Sequence, residues 1–264
     1  MNSADRTQKA RALPIAALAL AAAPLAHGAG WGFTPTPAEW ESWPQYCRIQ
    51  YSYINRGQNK YGDYYSDAAI APWKAMIGEK TFGSMHHYCK AMIVLKQIRA
   101  EKNSNTRKFL VGVAVDDSDY TYQRADPQSI AYPAIASVMG QAKLLNGDIE
   151  EGFAILERAI EAQPTRYEAY AALAAYYREQ RQVDLALKTV QRADEANHGE
   201  SAEIQYNLGL LNVEAGNVDA AVANAKAAYA KGYPLPGLAR KLEKLKRWPP
   251  PAETAAETPA SQPQ

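Results

Sequence analysis

The chain has 264 residues, 47% of them hydrophobic and 22% charged, with a formal net charge of +1. That length supports a sizeable core or an extended repeat array. The near-neutral balance excludes a general nucleic-acid binder, which carries a basic excess.

The N-terminus reads as a secretion signal over residues 1–29. Arg6, Lys9 and Arg11 form a basic start, Leu13 to Leu25 is an uncharged Ala/Leu run, and Ala26 to Ala29 supplies small residues for cleavage after Gly28 or Ala29. The run is shorter than the roughly 20 residues a comfortable span needs. An uncleaved anchor or an Ala-rich disordered tail are the competing readings. No cysteine follows closely, so a lipid anchor is not expected. The expected location is the bacterial periplasm, or the inner membrane if the segment is retained.

Residues 30–83 read as an irregular helical cap. Trp31 to Pro37 is an extended entry, and Glu39 to Gln58 looks helical. Pro44 suits a first helical turn, so the main helix is predicted to start near Trp43. Tyr46, Cys47, Gln50, Tyr51 and Ile54 then share one face. A polar, Tyr-rich loop covers Gly57 to Ser66, and a short helix follows over Ala68 to Ile77, with Pro72 breaking or starting it. Six tyrosines here (Tyr46, Tyr51, Tyr53, Tyr61, Tyr64, Tyr65) suit helix packing, or a glycan- or peptide-binding wall.

Residues 84–130 read as a long helical hairpin. Ser84 is predicted to open a helix over His86 to Arg99, with Tyr88, Cys89, Met92, Leu95 and Gln97 or Ile98 as its buried stripe. Lys102 to Thr106 is a turn and cap, and a second helix runs from Arg107 to Ala125, stopped at Asp126-Pro127. Asp116, Asp117 and Asp119 lack the glycine and distal glutamate of a calcium loop and are expected on a solvated face.

Residues 131–234 carry a repeat. Gly140 and Ala174 stand 34 residues apart, as do Ala159 and Ala193, and Ala228 follows at 35. The first unit offers Ala136, Met139-Gly140, Lys143, then Gly152, Leu156, Ala159 and Pro164. The second offers Tyr170, Leu173-Ala174, Tyr177, then Ala186, Val190 and Ala193. The third offers Gln205, Leu208-Gly209, Asn212, then Ala221, Ala225, Ala228 and Tyr233-Pro234. Recurrence at this period means stacked hairpins, none able to bury its apolar face alone. Residues 235–248 form a capping helix with Leu238, Leu242, Leu245 and Trp248 on one side and five basic residues outward. Residues 249–264 are Pro/Ala-rich without apolar periodicity and are expected to be disordered.

The repeated pattern resembles the tetratricopeptide repeat, with its W-x2-L-G-x2-Y and A-x3-F-x2-A signature ending in proline, across about a hundred residues. The resemblance implies an all-α solenoid, a right-handed superhelix of hairpins whose concave wall is built from the first helix of each unit. Carried over by position, Ser137, Gln141, Leu144, Ala171, Ala175, Arg178, Tyr206, Leu210 and Val213 should line that wall. It is small and apolar, with Gln141, Arg178 and Tyr206 as polar handles, and suits a peptide or helix laid in a groove. The Lys/Asn/Arg set of the family's carboxylate-clamping pockets is missing.

Chemistry is thinly represented. No P-loop, dinucleotide fingerprint, nucleophile elbow or HExxH is present. Only His86, His87 and His198 remain beyond the signal, so an enzyme is not expected and no cofactor is implied. Cys47 and Cys89 are the only cysteines. In an exported chain they suit a disulfide; two buried thiols, or a metal site of Cys47, His86 and Cys89, are the alternatives. The leading reading is a non-enzymatic periplasmic scaffold for a partner in a bacterial envelope complex. A metal- or redox-responsive binding protein and a membrane-anchored structural protein are the other two. Membrane contact would run through a retained N-terminus or the basic capping helix. The junction between cap and groove is where the partner is expected.

Overall fold

A computed structural model describes residues 33–55, 60–61 and 65–248. The signal predicted at 1–29 and the tail predicted to be disordered at 249–264 lie outside the described residues.

Helix α1 (Pro37–Ser42) opens with a capping box, in which Thr36 and Glu39 satisfy each other's backbone N–H groups. Helix α2 spans Gln45–Ile54. The sequence reads Glu39 to Gln58 as helical with the main helix starting near Trp43; α2 begins two residues later, because Trp43, standing before Pro44, is pushed out of the helical region (ψ 140°), and Pro44 is extended too (ψ 154°). Helix α3 (Asp67–Ile77) is capped by Ser66 and contains Pro72 in its interior, so the proline neither breaks nor starts it.

Helix α4 (Glu79–Ala100) begins well before the expected start at Ser84. Ser84 cannot act as a cap, because its hydroxyl donates back to the Thr81 carbonyl at 2.9 Å. The early turn is held by burial of Phe82 and by Gln50, whose amide donates to the Phe82 carbonyl at 3.0 Å. In the predicted stripe Ile98 is buried and Gln97 is exposed. Asn103 caps helix α5 (Ser104–Tyr122), accepting from the N–H groups of Asn105 and Thr106 at 3.0 Å each.

Three hairpins follow: α6 (Tyr132–Asn146) with α7 (Ile149–Ala162), α8 (Glu168–Glu179) with α9 (Val183–Ala196), and α10 (Ala202–Glu214) with α11 (Val218–Ala230). Helix α12 (Gly237–Lys244) closes the array. The fold is all-α and tetratricopeptide-like, and each hairpin packs on the next. Small residues set the spacing. A Cβ on Gly140 would stand 2.5 Å from Leu156 Cγ, and one on Gly152 would meet Leu144 Cγ at 2.8 Å and the Gly140 carbonyl at 3.1 Å. Glycine therefore serves both sides of the α6–α7 contact. At Gly209 the sequence predicts approach by the hairpin's own second helix; Asn224 of α11 does approach, its Cβ 3.4 Å from where a Gly209 Cβ would stand, and the Leu238 side chain of α12 comes closer still. Ala159, Ala193 and Ala228 are each 1% exposed or less.

The turns inside the hairpins share a left-handed residue: Gly147 (φ 93°), Arg181 (φ 59°) and Gly216 (φ 79°). Glycine enters that region without cost, whereas a side chain there is strained. The polar positions of the third unit also have a reason. Gln205 donates to Asp194 at 2.7 Å, Asn224 donates to Gln205 at 2.8 Å, and Asn212 donates to Asn224 at 2.9 Å. This chain ties α9, α10 and α11 together and satisfies half-buried amides that would otherwise destabilise the contact.

The cap is stapled to α4 by a disulfide between Cys47 and Cys89, whose Cα atoms lie 5.8 Å apart. Trp43 packs beside it and donates its indole N–H to the Cys89 carbonyl at 2.9 Å. The described tyrosines of this region pack against the cap's tryptophans and α4. Trp40 stacks on Tyr61 at 4.6 Å between ring centroids, and the Tyr46 and Tyr88 hydroxyls meet at 3.1 Å. Tyr64 lies outside the described residues.

Candidate partner-binding groove

The first helices of the hairpins place the predicted wall residues in three groups. Gln141 and Leu144 of α6 and Ala175 of α8 share a cleft of about 190 Å³, together with Arg99, Arg107, Leu145, Ala172, Tyr176, Glu179 and Gln180. It lies where the divergent α4–α5 hairpin meets the regular units. Its floor is apolar because α6 and α8 present Leu144 and Ala172, 7% and 3% exposed, to each other. Tyr176 is braced edge-on by Phe153, with centroids 5.3 Å apart. Gln141 is held at both ends: its amide donates to the Ser137 carbonyl and hydroxyl at 3.1 Å each, and its carbonyl accepts from Arg99 Nη2 at 2.7 Å. Such a group is preorganised, so it loses little side-chain entropy when a ligand binds.

Ser137 and Ala171 lie in a second, shallower depression with Thr165, Arg166, Tyr167, Glu168 and Glu203. Arg166 pairs with Glu168 at 2.5 Å. Burial, with Glu168 nearby, pushes the Glu203 carboxyl above its ordinary pKa. Arg178 makes two hydrogen bonds to the Glu214 carboxylate, Nε–Oε2 at 2.8 Å and Nη2–Oε1.

The third group is packed. Tyr206 is 7% exposed, and its ring lies 4.4 Å from that of Tyr233. It shares a core with Leu238 and Leu242 of α12, and Leu210 and Val213 pack against that core. A capping helix seats on the face that the last first-helix would otherwise offer to a partner. Leu245 of the predicted capping stripe stays exposed, at 46%.

Arg99, Arg107 and Tyr176 are cleft residues that the wall positions carried over from the repeat leave out. The two arginines come from the hairpin that departs from the period, and no local motif marks them.

The acidic cluster on α5 differs from the expected solvated face. Asp116 points outward, but Asp117 is 7% exposed. It accepts from His87 Nδ1 and Lys90 Nζ of α4, each at 2.6 Å. Burial opposes its ionisation, yet those two hydrogen bonds outweigh burial and hold the carboxyl below its ordinary pKa. The neighbouring His86 is pushed down to about 4, chiefly by burial and next by His87. The considered metal set of Cys47, His86 and Cys89 is not assembled, because both sulfurs are spent in the disulfide. Among the described residues no group of three or more His, Cys, Asp or Glu could hold a metal ion.

No family model and no curated protein matches the chain. Solved structures similar to it include a mutant form of MamA, 20% identical over 62% of this chain and 88% of that one, with a TM-score of 0.37. A crystal structure of MamA is 16% identical over 70% of this chain and all of that one, with a TM-score of 0.36. Likeness at this level carries no argument about function, and the fold is read from the chain's own hairpins.

Proposed function

We propose that this chain is a non-enzymatic protein-interaction scaffold of the bacterial periplasm, and that it holds an extended peptide or helix of an envelope partner in the cleft between α4, α6 and α8. The observation that carries this reading is the cleft's make-up: an apolar floor of Leu144, Ala172 and Ala175, the braced ring of Tyr176, and a polar rim of Arg99, Arg107, Gln141 and Glu179. An apolar floor with a few fixed polar groups is what a groove-bound segment needs for affinity and register. The signal at residues 1–29 and the Cys47–Cys89 disulfide support an oxidising, exported location. Among the described residues no helix is long and apolar enough to cross a membrane.

The test is crosslinking in intact cells with a photoreactive residue at position 180 on the cleft's rim, alone and combined with Ala175→Glu or Arg107→Glu. Ala175→Glu puts a carboxylate on the apolar floor and should cut capture of the crosslinked partner at least about tenfold, the effect of 1.4 kcal/mol. Circular dichroism should stay unchanged. Equal capture by wild type and both variants refutes the groove. N-terminal sequencing of the mature protein tests the location: a start at Ala29 or Gly30 is expected, and an intact Met1 in the membrane fraction overturns it.

A further inference from the structure

One surface of the divergent hairpin takes no part in the groove. Helix α5 packs against α4 and α6 through Val111, Ala114, Asp117, Ser118 and Thr121. Its opposite face is a shallow depression lined by Asn105, Lys108, Phe109, Gly112, Val113 and Asp116. Two features of that face are unusual. Phe109 is 69% exposed, the most exposed of the large hydrophobic residues described. One turn along, a Cβ added to Gly112 would meet nothing within 4 Å. A protruding ring thus stands beside a gap on the same helix, where glycine weakens the helix by about 1 kcal/mol with no internal packing to require it.

The charges decide what fits. When two copies of α5 cross antiparallel about a two-fold axis at Gly112, residues equally far before and after that glycine face each other. Lys108, four before, then meets Asp116, four after, twice by symmetry. Asn105 meets Asp119 in the same way, and Phe109 meets the half-buried Val115. Neither Lys108 nor Asp116 joins an ion pair among the described residues. Gly112 at the crossing point lets the two backbones approach, as small residues do wherever helices cross closely.

We infer that the outer face of α5 is an isologous dimer interface, and that its partner is a second copy of this chain. A two-fold interface must be self-complementary. This face is so in charge, with Lys108 against Asp116, and in shape, with Gly112 against Gly112 at the crossing and the Phe109 ring against Val115 on either side of it. A single pair of crossed helices buries less than a standard interface, so the dissociation constant is expected on the order of 10 µM. The groove opens between α4, α6 and α8 and stays free in the dimer, so two partner segments would be held by one assembly.

The experiment is sedimentation equilibrium of the full chain across a concentration series, with four variants. Phe109→Glu should weaken the dimer at least about tenfold. Asp116→Lys alone sets Lys108 against a lysine and should do the same, whereas the swap Lys108→Asp/Asp116→Lys should restore wild-type affinity within about threefold. Gly112→Cys should yield a disulfide-linked dimer under mild oxidation, since position 112 faces itself. All four positions are solvent-facing, and unchanged circular dichroism confirms that each variant folds. A wild-type chain that stays monomeric up to about 1 mM overturns the inference. So does a dimer that is indifferent to Phe109→Glu and to the charge swap, or a Gly112→Cys variant that does not crosslink. Groove variants such as Ala175→Glu should leave the dimer intact, so this inference and the proposed function can fail separately.

Discussion

Replacing Gly140 by alanine probes the contact on which the first regular hairpin is built. On an isolated helix the change is favourable by about 1 kcal/mol, because alanine restricts the unfolded chain and stabilises the helix. In the folded hairpin the new Cβ falls 2.5 Å from Leu156 Cγ, 2.7 Å from Cδ2 and 3.1 Å from Cδ1. Leu156 is fully buried, and its branching carbon as well as its methyl groups is too close, so no rotation of the end of the side chain clears the clash. Carbon contacts relax near 3.5–4.0 Å, so α6 and α7 must part by about 1 Å. At Gly152, too, an added Cβ would come within 3.1 Å of the Gly140 carbonyl, so the two helices are already at close approach there. Overpacking of this kind costs about 1–3 kcal/mol. Set against the helix gain, it leaves a net loss of up to about 2 kcal/mol. Urea unfolding followed by far-UV circular dichroism measures it. The companion variant Leu156→Ala costs about 2–5 kcal/mol alone, because it opens a cavity. In the double variant the new methyl fills part of that cavity, so the two losses should fall short of their sum by about 1 kcal/mol or more. A Gly140→Ala chain about 1 kcal/mol more stable than wild type, the full helix gain with no packing cost, or strict additivity in the double variant, would refute the close contact of α6 with α7.

Three other perturbations test separate parts of the structure. The Cys47–Cys89 bond joins residues 42 apart, so Cys47→Ala/Cys89→Ala should lose about 4 kcal/mol of stability by the chain-entropy estimate; equal urea midpoints for the oxidised wild type and the variant would count against it. Arg181 takes the left-handed turn position that Gly147 and Gly216 fill in the neighbouring units, so Arg181→Gly should stabilise the chain by about 0.5–1 kcal/mol in a melting experiment, and a lower midpoint contradicts the turn assignment. His86 sits at about 4 when folded against an ordinary 6.5, so between pH 6.5 and 4 the unfolded chain binds the extra proton. Stability is therefore full above about pH 6.5 and falls as pH drops to about 4. For a ring still partly exposed the loss is about 1–2 kcal/mol. Asp117 adds to it below the usual carboxylate range, where protonation cancels its bonds to His87 and Lys90. His86→Gln should flatten the upper part of that profile, and an unchanged profile removes His86 as its cause.

The sequence by itself determined the repeated architecture. Small residues at a 34-residue period can recur only where helices touch at repeated places, so Gly140, Ala159, Ala193 and Ala228 identify the hairpins before any coordinate is known. The cysteine pair was legible too, because two cysteines in a chain whose N-terminus reads as an export signal have few other uses. Tertiary structure decided what each helix faces. Asp117 lies in a run of acidic residues that looks solvated, yet α4 brings His87 and Lys90 to it from 30 and 27 positions away. Tyr206 occupies a wall position by register, yet α12 folds over it, and Gly209 makes room for Leu238 of α12 as well as for Asn224 of its own hairpin. Arg99 and Arg107 join the cleft from a hairpin that keeps no period. A local pattern records which face of a helix is apolar. Which neighbour covers that face depends on how the chain returns through space, and a polar residue finds its partner only when that return is complete.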